Sequence, residues 1–144
     1  MKKCNKGFTL IELLIVLAII GTVTSFVMVN LVGVRERGRD GQRKSDMQQM
    51  RTAFEIYRAD QGSYPAAPLP ACGSSLTSGG TTYIPKIPCD PTGTGQHVYS
   101  YTTTGSTYTL TSCLENERDG QKDRTNAGSS CNGSTNWSYT LTNP

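Results

Sequence analysis

The feature that most limits what this chain can become is an apolar run from Phe8 to Val34, broken by one formal charge, Glu12. The run is rich in Leu, Ile and Val and contains no Pro. As a helix rising ~1.5 Å per residue it reaches roughly 40 Å, enough to cross a ~30 Å hydrocarbon core with tilt. Gly21 and Gly33 do not stop a helix in lipid. Lys2, Lys3 and Lys6 lie ahead of the run and Gly7 separates them from it. A basic start before an apolar stretch is the pattern of an export signal, but this stretch is too long for a cleaved one. A carboxylate inside such a stretch costs ~2.5–3.5 kcal/mol on insertion scales, so Glu12 is read as functional.

Read together, Lys6-Gly7-Phe8-Thr9-Leu10-Ile11-Glu12 and the apolar residues up to Gly21 resemble the start of type IV prepilins and type II secretion pseudopilins. Lys2, Lys3 and Lys6 match the short basic leader, Gly7 the residue before the cut, Phe8 the first mature residue and Glu12 the fifth. The resemblance implies a membrane peptidase, the prepilin peptidase, that cuts after Gly7 on the cytoplasmic side, and N-methylation of Phe8. It implies a homopolymer packed through these helices, raised from membrane lipid by an inner-membrane assembly platform and its ATPase. Glu12 is then the assembly residue. Its carboxylate on one subunit pairs with the Phe8 amine of a neighbour, each charge offsetting the other's desolvation.

The expected organisation is a leader at 1–7, a transmembrane and assembly helix at 8–34, an amphipathic spine helix at 35–61 and a disulfide-stapled β region at 62–144. The fold class is α+β and type IV pilin-like, with one long N-terminal helix packed on an antiparallel sheet of about three strands. The expected location is a single pass of the inner membrane, with the C-terminal region outside the cytoplasm.

Charge supports no nucleic-acid role. The chain carries 14 basic and 11 acidic residues, and three of the basic ones leave with the leader, so the mature chain is neutral. The five cysteines are Cys4, Cys72, Cys89, Cys113 and Cys131, and Cys4 leaves with the leader. Four cysteines in a small exported domain point to two disulfides and an oxidising compartment. Three connectivities remain open. Local pairing, Cys72–Cys89 and Cys113–Cys131, is favoured because each pair brackets a Gly-, Ser-, Thr- or Pro-rich stretch with no other means of ordering. Each closure stabilises by ~3 kcal/mol in the chain-entropy model. Zinc is disfavoured, since no CxxC pair exists and the single histidine, His97, has no cysteine near it.

Beyond Val34 charges begin abruptly. Arg35, Arg37, Arg39, Arg43 and Lys44, interleaved with Glu36, Asp40 and Asp46, read as a solvated helix face. Met47, Met50, Phe54 and Tyr57, joined by Ala53 and Ile56, recur at helical spacing and read as a core stripe. Gly38 and Gly41 each weaken a helix by ~1 kcal/mol, which predicts a kink or melted turn at 38–41. Gly62 and Pro65 end the helix after Gln61. Residues 57–65 and the Pro88-Cys89-Asp90-Pro91…Tyr99-Ser100-Tyr101 stretch are also similar to major pseudopilins, although Thr92 stands where that family usually has Trp. Residues 66–96 read as loop, and strands are expected at 97–103, 107–114 and 137–142, with Val98, Tyr108, Leu110 and Leu114 on the apolar face.

The polar segment after Leu114 holds Glu115, Glu117, Asp119 and Gly120 at positions one, three, five and six of an EF-hand-like frame. The twelfth is Asn126 rather than Glu, and Arg118, Lys122 and Arg124 intrude. The similarity to major pseudopilins nevertheless implies a candidate calcium set at Glu115, Glu117, Asp119 and Asp123, with the salt-bridged loop as the competing reading. No other cofactor is indicated. Catalysis is not expected, because no nucleophile elbow, HExxH helix or phosphate-binding loop occurs. The function read from the sequence is a structural filament subunit of a type IV pilus or a type II secretion pseudopilus. The alternative is a minor pilin acting as an adhesion or DNA-binding module.

Overall fold

The computed structural model describes residues 7–93, 99–126 and 131–144, without the side chains of 26–32. Lys2, Lys3, Cys4, Lys6, His97 and Val98, on which expectations were placed, lie outside the described residues. One helix, α1 (Leu10–Gln61), is followed by β1 (Leu76–Ser78), β2 (Thr81–Ile84), β3 (Ser100–Thr103), β4 (Tyr108–Leu114) and β5 (Trp137–Thr142). The chain forms two compact units, residues 1–35 and 36–144, and α1 contributes to both.

In the first unit the side chains of Leu10–Val23 are exposed. The hydroxyls that interrupt the apolar surface are satisfied inside the helix. Thr22 Oγ1 donates to the Ile19 carbonyl at 2.8 Å, Thr24 Oγ1 to Ile20 at 2.7 Å and Ser25 Oγ to Gly21 at 2.9 Å. A hydroxyl bonded back to its own helix is compatible with an apolar surround. Among the described residues no helix is long and apolar enough to cross a membrane. The described side chains of the run stop at Ser25, and Leu10–Ser25 falls short of the ~20 residues a span takes.

In the second unit α1 is unbroken through Gly38 and Gly41. No turn is melted at 38–41 in the single chain, where Asp40 and Arg43 are both buried. α1 ends where the sequence stops it. Gly62 turns to φ +77° and its N–H donates to the Arg58 carbonyl at 2.8 Å, a left-handed C-terminal cap.

The three-stranded sheet has the order β3-β4-β5, all antiparallel, with Leu110 opposite Tyr101 and Leu141. Alternation along β4 sends Tyr108, Leu110 and Leu114 into the core with Met47, Met50, Phe54 and Tyr139. Phe54 meets the Tyr108 ring edge-on, with centroids 5.4 Å apart. Cys113 falls on the opposite face, where Cys131 joins it. Two expectations are corrected. Ile56 does not join the core stripe and is 53% exposed. Residues 66–96 are not all loop, because β1 and β2 pair as a hairpin across Gly79-Gly80, both at positive φ. Paired glycines meet the backbone twist that tight hairpins need, and that was the available signal.

Candidate functional site

In the first unit, the residues expected to be processed lie just ahead of the helix. Gly7, Phe8 and Thr9 are non-helical and exposed, with Phe8 at 82%. The bond between Gly7 and Phe8 is therefore accessible backbone. Thr9 caps α1. Its Oγ1 accepts from the Glu12 N–H at 3.3 Å, while Glu12 Oε2 accepts from the Thr9 N–H at 2.9 Å and from Thr9 Oγ1 at 2.6 Å. Thr9-Leu10-Ile11-Glu12 is thus a capping box, with Glu12 at its third helical position. Sequence reasoning singled out Glu12 and missed Thr9. The signal was present as Thr-x-x-Glu ahead of an apolar run.

The second unit contains a cluster that sequence reasoning assigned to solvent. Arg43 is 0% exposed and Asp40 1%, so the expected solvated face is corrected. Arg43 Nε donates to Asp90 Oδ2 at 2.7 Å, and Arg43 Nη1 to Asp40 Oδ1 at 2.8 Å and to Glu115 Oε1 at 2.7 Å. One guanidinium thereby joins the helix, the loop before β3 and the loop after β4. Asp40 also accepts the N–H groups of Glu115, at 2.9 Å, and Asn116, at 2.8 Å. Arg39 makes a two-pronged pair with Glu115, and Lys44 reaches Asp119 Oδ2 at 2.6 Å. The polar members extend the core stripe by one turn, since 40, 43, 47, 50 and 54 share one helical face.

The electrostatics follow from these contacts. Hydrogen bonds from Arg39, with burial opposing and Arg43 assisting, hold the Glu115 carboxyl down at about 2. Burial pushes Asp90 up, but Arg43 and Thr92 outweigh it and leave the group low. Thr92 bonds Asp90 Oδ1 through both its N–H, at 2.9 Å, and its hydroxyl, at 2.6 Å. The hydroxyl is the donor that the Thr92 side chain adds to this carboxylate. Asp119 is likewise lowered by Lys44 against burial. Asp46 moves the other way, raised by burial although the Tyr99 hydroxyl donates to it at 2.8 Å.

The structure does not gather the candidate calcium residues into one site. Among the described residues no group of three or more Asp, Glu, His or Cys side chains is placed to hold a metal. Glu115 faces two arginines and Asp119 faces Lys44. Asp123 turns to the outer face of the sheet, where its Oδ2 accepts from Ser138 at 2.6 Å and Thr140 at 2.7 Å. Glu117 is exposed. The disulfides are Cys72–Cys89, with Cα atoms 5.0 Å apart, and Cys113–Cys131, at 5.5 Å. The first joins the loop before β1 to the segment carrying Asp90, and the second holds the end of the acidic loop against β4.

Residues 2–28 match the model of the prokaryotic N-terminal methylation motif. The chain is 32% identical over 100 residues to the type II secretion system core protein G of Escherichia coli (strain K12), covering 62% of this chain and 68% of that one. It is 33% identical over 122 residues to the core protein G of Vibrio cholerae, covering 76% and 80%. The type IV major pilin protein PilA of Myxococcus xanthus is 33% identical over 60 residues, covering 42% of this chain and 27% of the pilin. No solved structure matches the chain significantly.

Proposed function

We propose a function from one premise: the chain belongs to the family of type II secretion system core protein G, the major pseudopilins. It is a structural filament subunit with a prepilin-type methylation motif, and not an enzyme. The minor-pilin alternative is not favoured. The finer reading is a major subunit of a secretion pseudopilus rather than a long surface pilus. One observation carries it: similarity to the core G proteins extends over 68% to 80% of their length, well beyond the N-terminal motif, whereas the pilin match spans 60 residues.

The proposed course begins in the inner membrane, with the C-terminal region outside the cytoplasm. Prepilin peptidase hydrolyses the Gly7–Phe8 amide, which leaves a carboxylate on Gly7 and a free amine on Phe8, and the amine is then methylated. That cation sits at the positive end of α1, where a carboxylate is favoured. Glu12 at the third helical position supplies one, and on a neighbouring subunit it pairs with the amine. The exposed apolar side chains of the first unit leave lipid for the same side chains of other copies, so removal from the bilayer costs little apolar hydration. The assembly platform and its ATPase supply the direction of growth.

The test is electron microscopy and mass spectrometry of filaments from cells expressing the chain. Short filaments whose subunits begin at N-methyl-Phe8, together with impaired protein export when the chain is deleted, are expected. Long surface fibres with export unimpaired would overturn the secretion reading. Subunits that still carry Lys2–Gly7 would overturn the processing step.

A further inference from the structure

The acidic loop at 115–123 has the spacing that raises a divalent cation, and the structure fills that role differently. Each carboxylate of the loop that faces α1 is met by a cation from two adjacent turns of that helix. Glu115 takes Arg39 and Arg43, and Asp119 takes Lys44. Glu115 Oε1 alone accepts from Arg39 Nε and Arg43 Nη1, each at 2.7 Å. A carboxylate oxygen committed to two guanidiniums has no lone pair directed at a metal. The charges also close. Arg39, Arg43 and Lys44 stand against Asp40, Asp90, Glu115 and Asp119, which leaves a residual of one negative charge. A divalent cation would enter a cluster already nearly neutral and would have to displace buried, hydrogen-bonded groups. The backbone needs none either, because the Asp40 carboxylate receives the N–H groups of Glu115 and Asn116, and Asp119 Oδ1 receives that of Gln121 at 2.9 Å.

We propose that Arg39, Arg43 and Lys44 stand in for a divalent metal and hold the loop after β4 to the spine helix, so that the second unit is independent of calcium. This goes beyond the filament reading and stands or falls separately from it. It is a property of the subunit, whatever filament it enters.

The single tryptophan gives the readout. Trp137 opens β5, and Lys122 of the loop lies over its ring, 4.9 Å from the centroid. The full chain in detergent micelles is stripped with EDTA and melted by Trp fluorescence with and without 1 mM calcium chloride, about the level at which extracellular calcium modules fill. At this concentration a real site with a Kd of about 0.1–1 mM would raise Tm by roughly 2–6 °C for a unit of this size. The expected shift is under about 1 °C, within the scatter of such melts. A saturable rise of about 2 °C or more would overturn the proposal, and this arm depends on no variant.

In the second arm Arg39→Gln with Lys44→Gln, which spares buried Arg43, lowers Tm by several degrees and speeds amide exchange across 115–123. An unchanged Tm and unchanged exchange would show that the cations do not hold the loop. Should the double variant not fold, Lys44→Gln and Asp119→Asn are compared singly and together. A combined loss no larger than either alone supports the pairing, and a fully additive loss opposes it.

Discussion

At the residue scale Glu12 has two roles that its exposure in one chain disguises. Its Oε2 completes the capping box with Thr9, and in the proposed assembly its charge pairs with the processed Phe8 amine of a neighbouring subunit. The roles separate by substitution, because glutamine also serves at the third position of a capping box but carries no charge. Glu12→Gln keeps the helix start and removes the anion, while Glu12→Ala removes both. Both variants are expected to insert in the membrane and to yield few filaments. Alanine should additionally lose on the order of 1 kcal/mol of local helix stability, seen as faster amide exchange at residues 10–13. Wild-type filament yield from Glu12→Gln, with failure of Glu12→Ala, would assign assembly to the cap rather than the charge.

At the scale of elements, the second unit is joined by charge as well as by apolar contact, and this makes it sensitive to acid. The Glu115 carboxyl lies at about 2 against 4.5 for an ordinary glutamate. A depressed acid contributes stability that is fully present above its unfolded value and is lost as pH falls through the folded one. Asp90 and Asp119, also lowered, act in the same direction. Asp46, raised by burial, acts oppositely and is relieved by protonation, but it is one group against three. Tm is therefore expected to hold from pH 7 to about 5 and to fall steeply below about 4, as calorimetry across that range would show. A flat profile down to pH 2.5 would mean that the clasp contributes little. The same element shows what the sequence allowed and why it stopped. The Met47, Met50, Phe54 stripe and the strands around Leu110 and Leu141 were legible, because apolar periodicity reports a buried face directly. Asp40 and Arg43 occupy the same periodic positions but are polar, and nothing local says that Asp90 and Glu115, distant in sequence, come to meet them. Leu76–Ile84 escaped for a related reason: its strands are short and rich in Thr and Ser, and only Gly79-Gly80 marked them.

At the scale of the molecule the question is how much of the chain the second unit needs in order to fold. Its core cluster begins at Met47 and ends at Leu141, so apolar burial alone would place the boundary just before Met47. The charges place it earlier. Residues 36–144 retain Arg39, Asp40, Arg43 and Lys44, whereas residues 46–144 retain the same apolar core and lose all four. In the shorter fragment Asp90, with its side chain 2% exposed in the full chain, and Glu115, at 16%, lose their guanidinium partners together with the helical turns packed on them, and the Glu115 and Asn116 N–H groups lose Asp40. Removing one partner of a buried pair costs at most roughly 3–5 kcal/mol, and less where the other regains water, against a total stability of roughly 5–15 kcal/mol for a domain. The fragment 36–144 is therefore expected to melt cooperatively, within a few degrees of the full chain in detergent. The fragment 46–144 should melt many degrees lower. Equal melting of the two fragments by circular dichroism would assign the stability of this unit to its apolar core alone. Failure of both would show that the helix before Glu36 is needed for folding as well as for assembly.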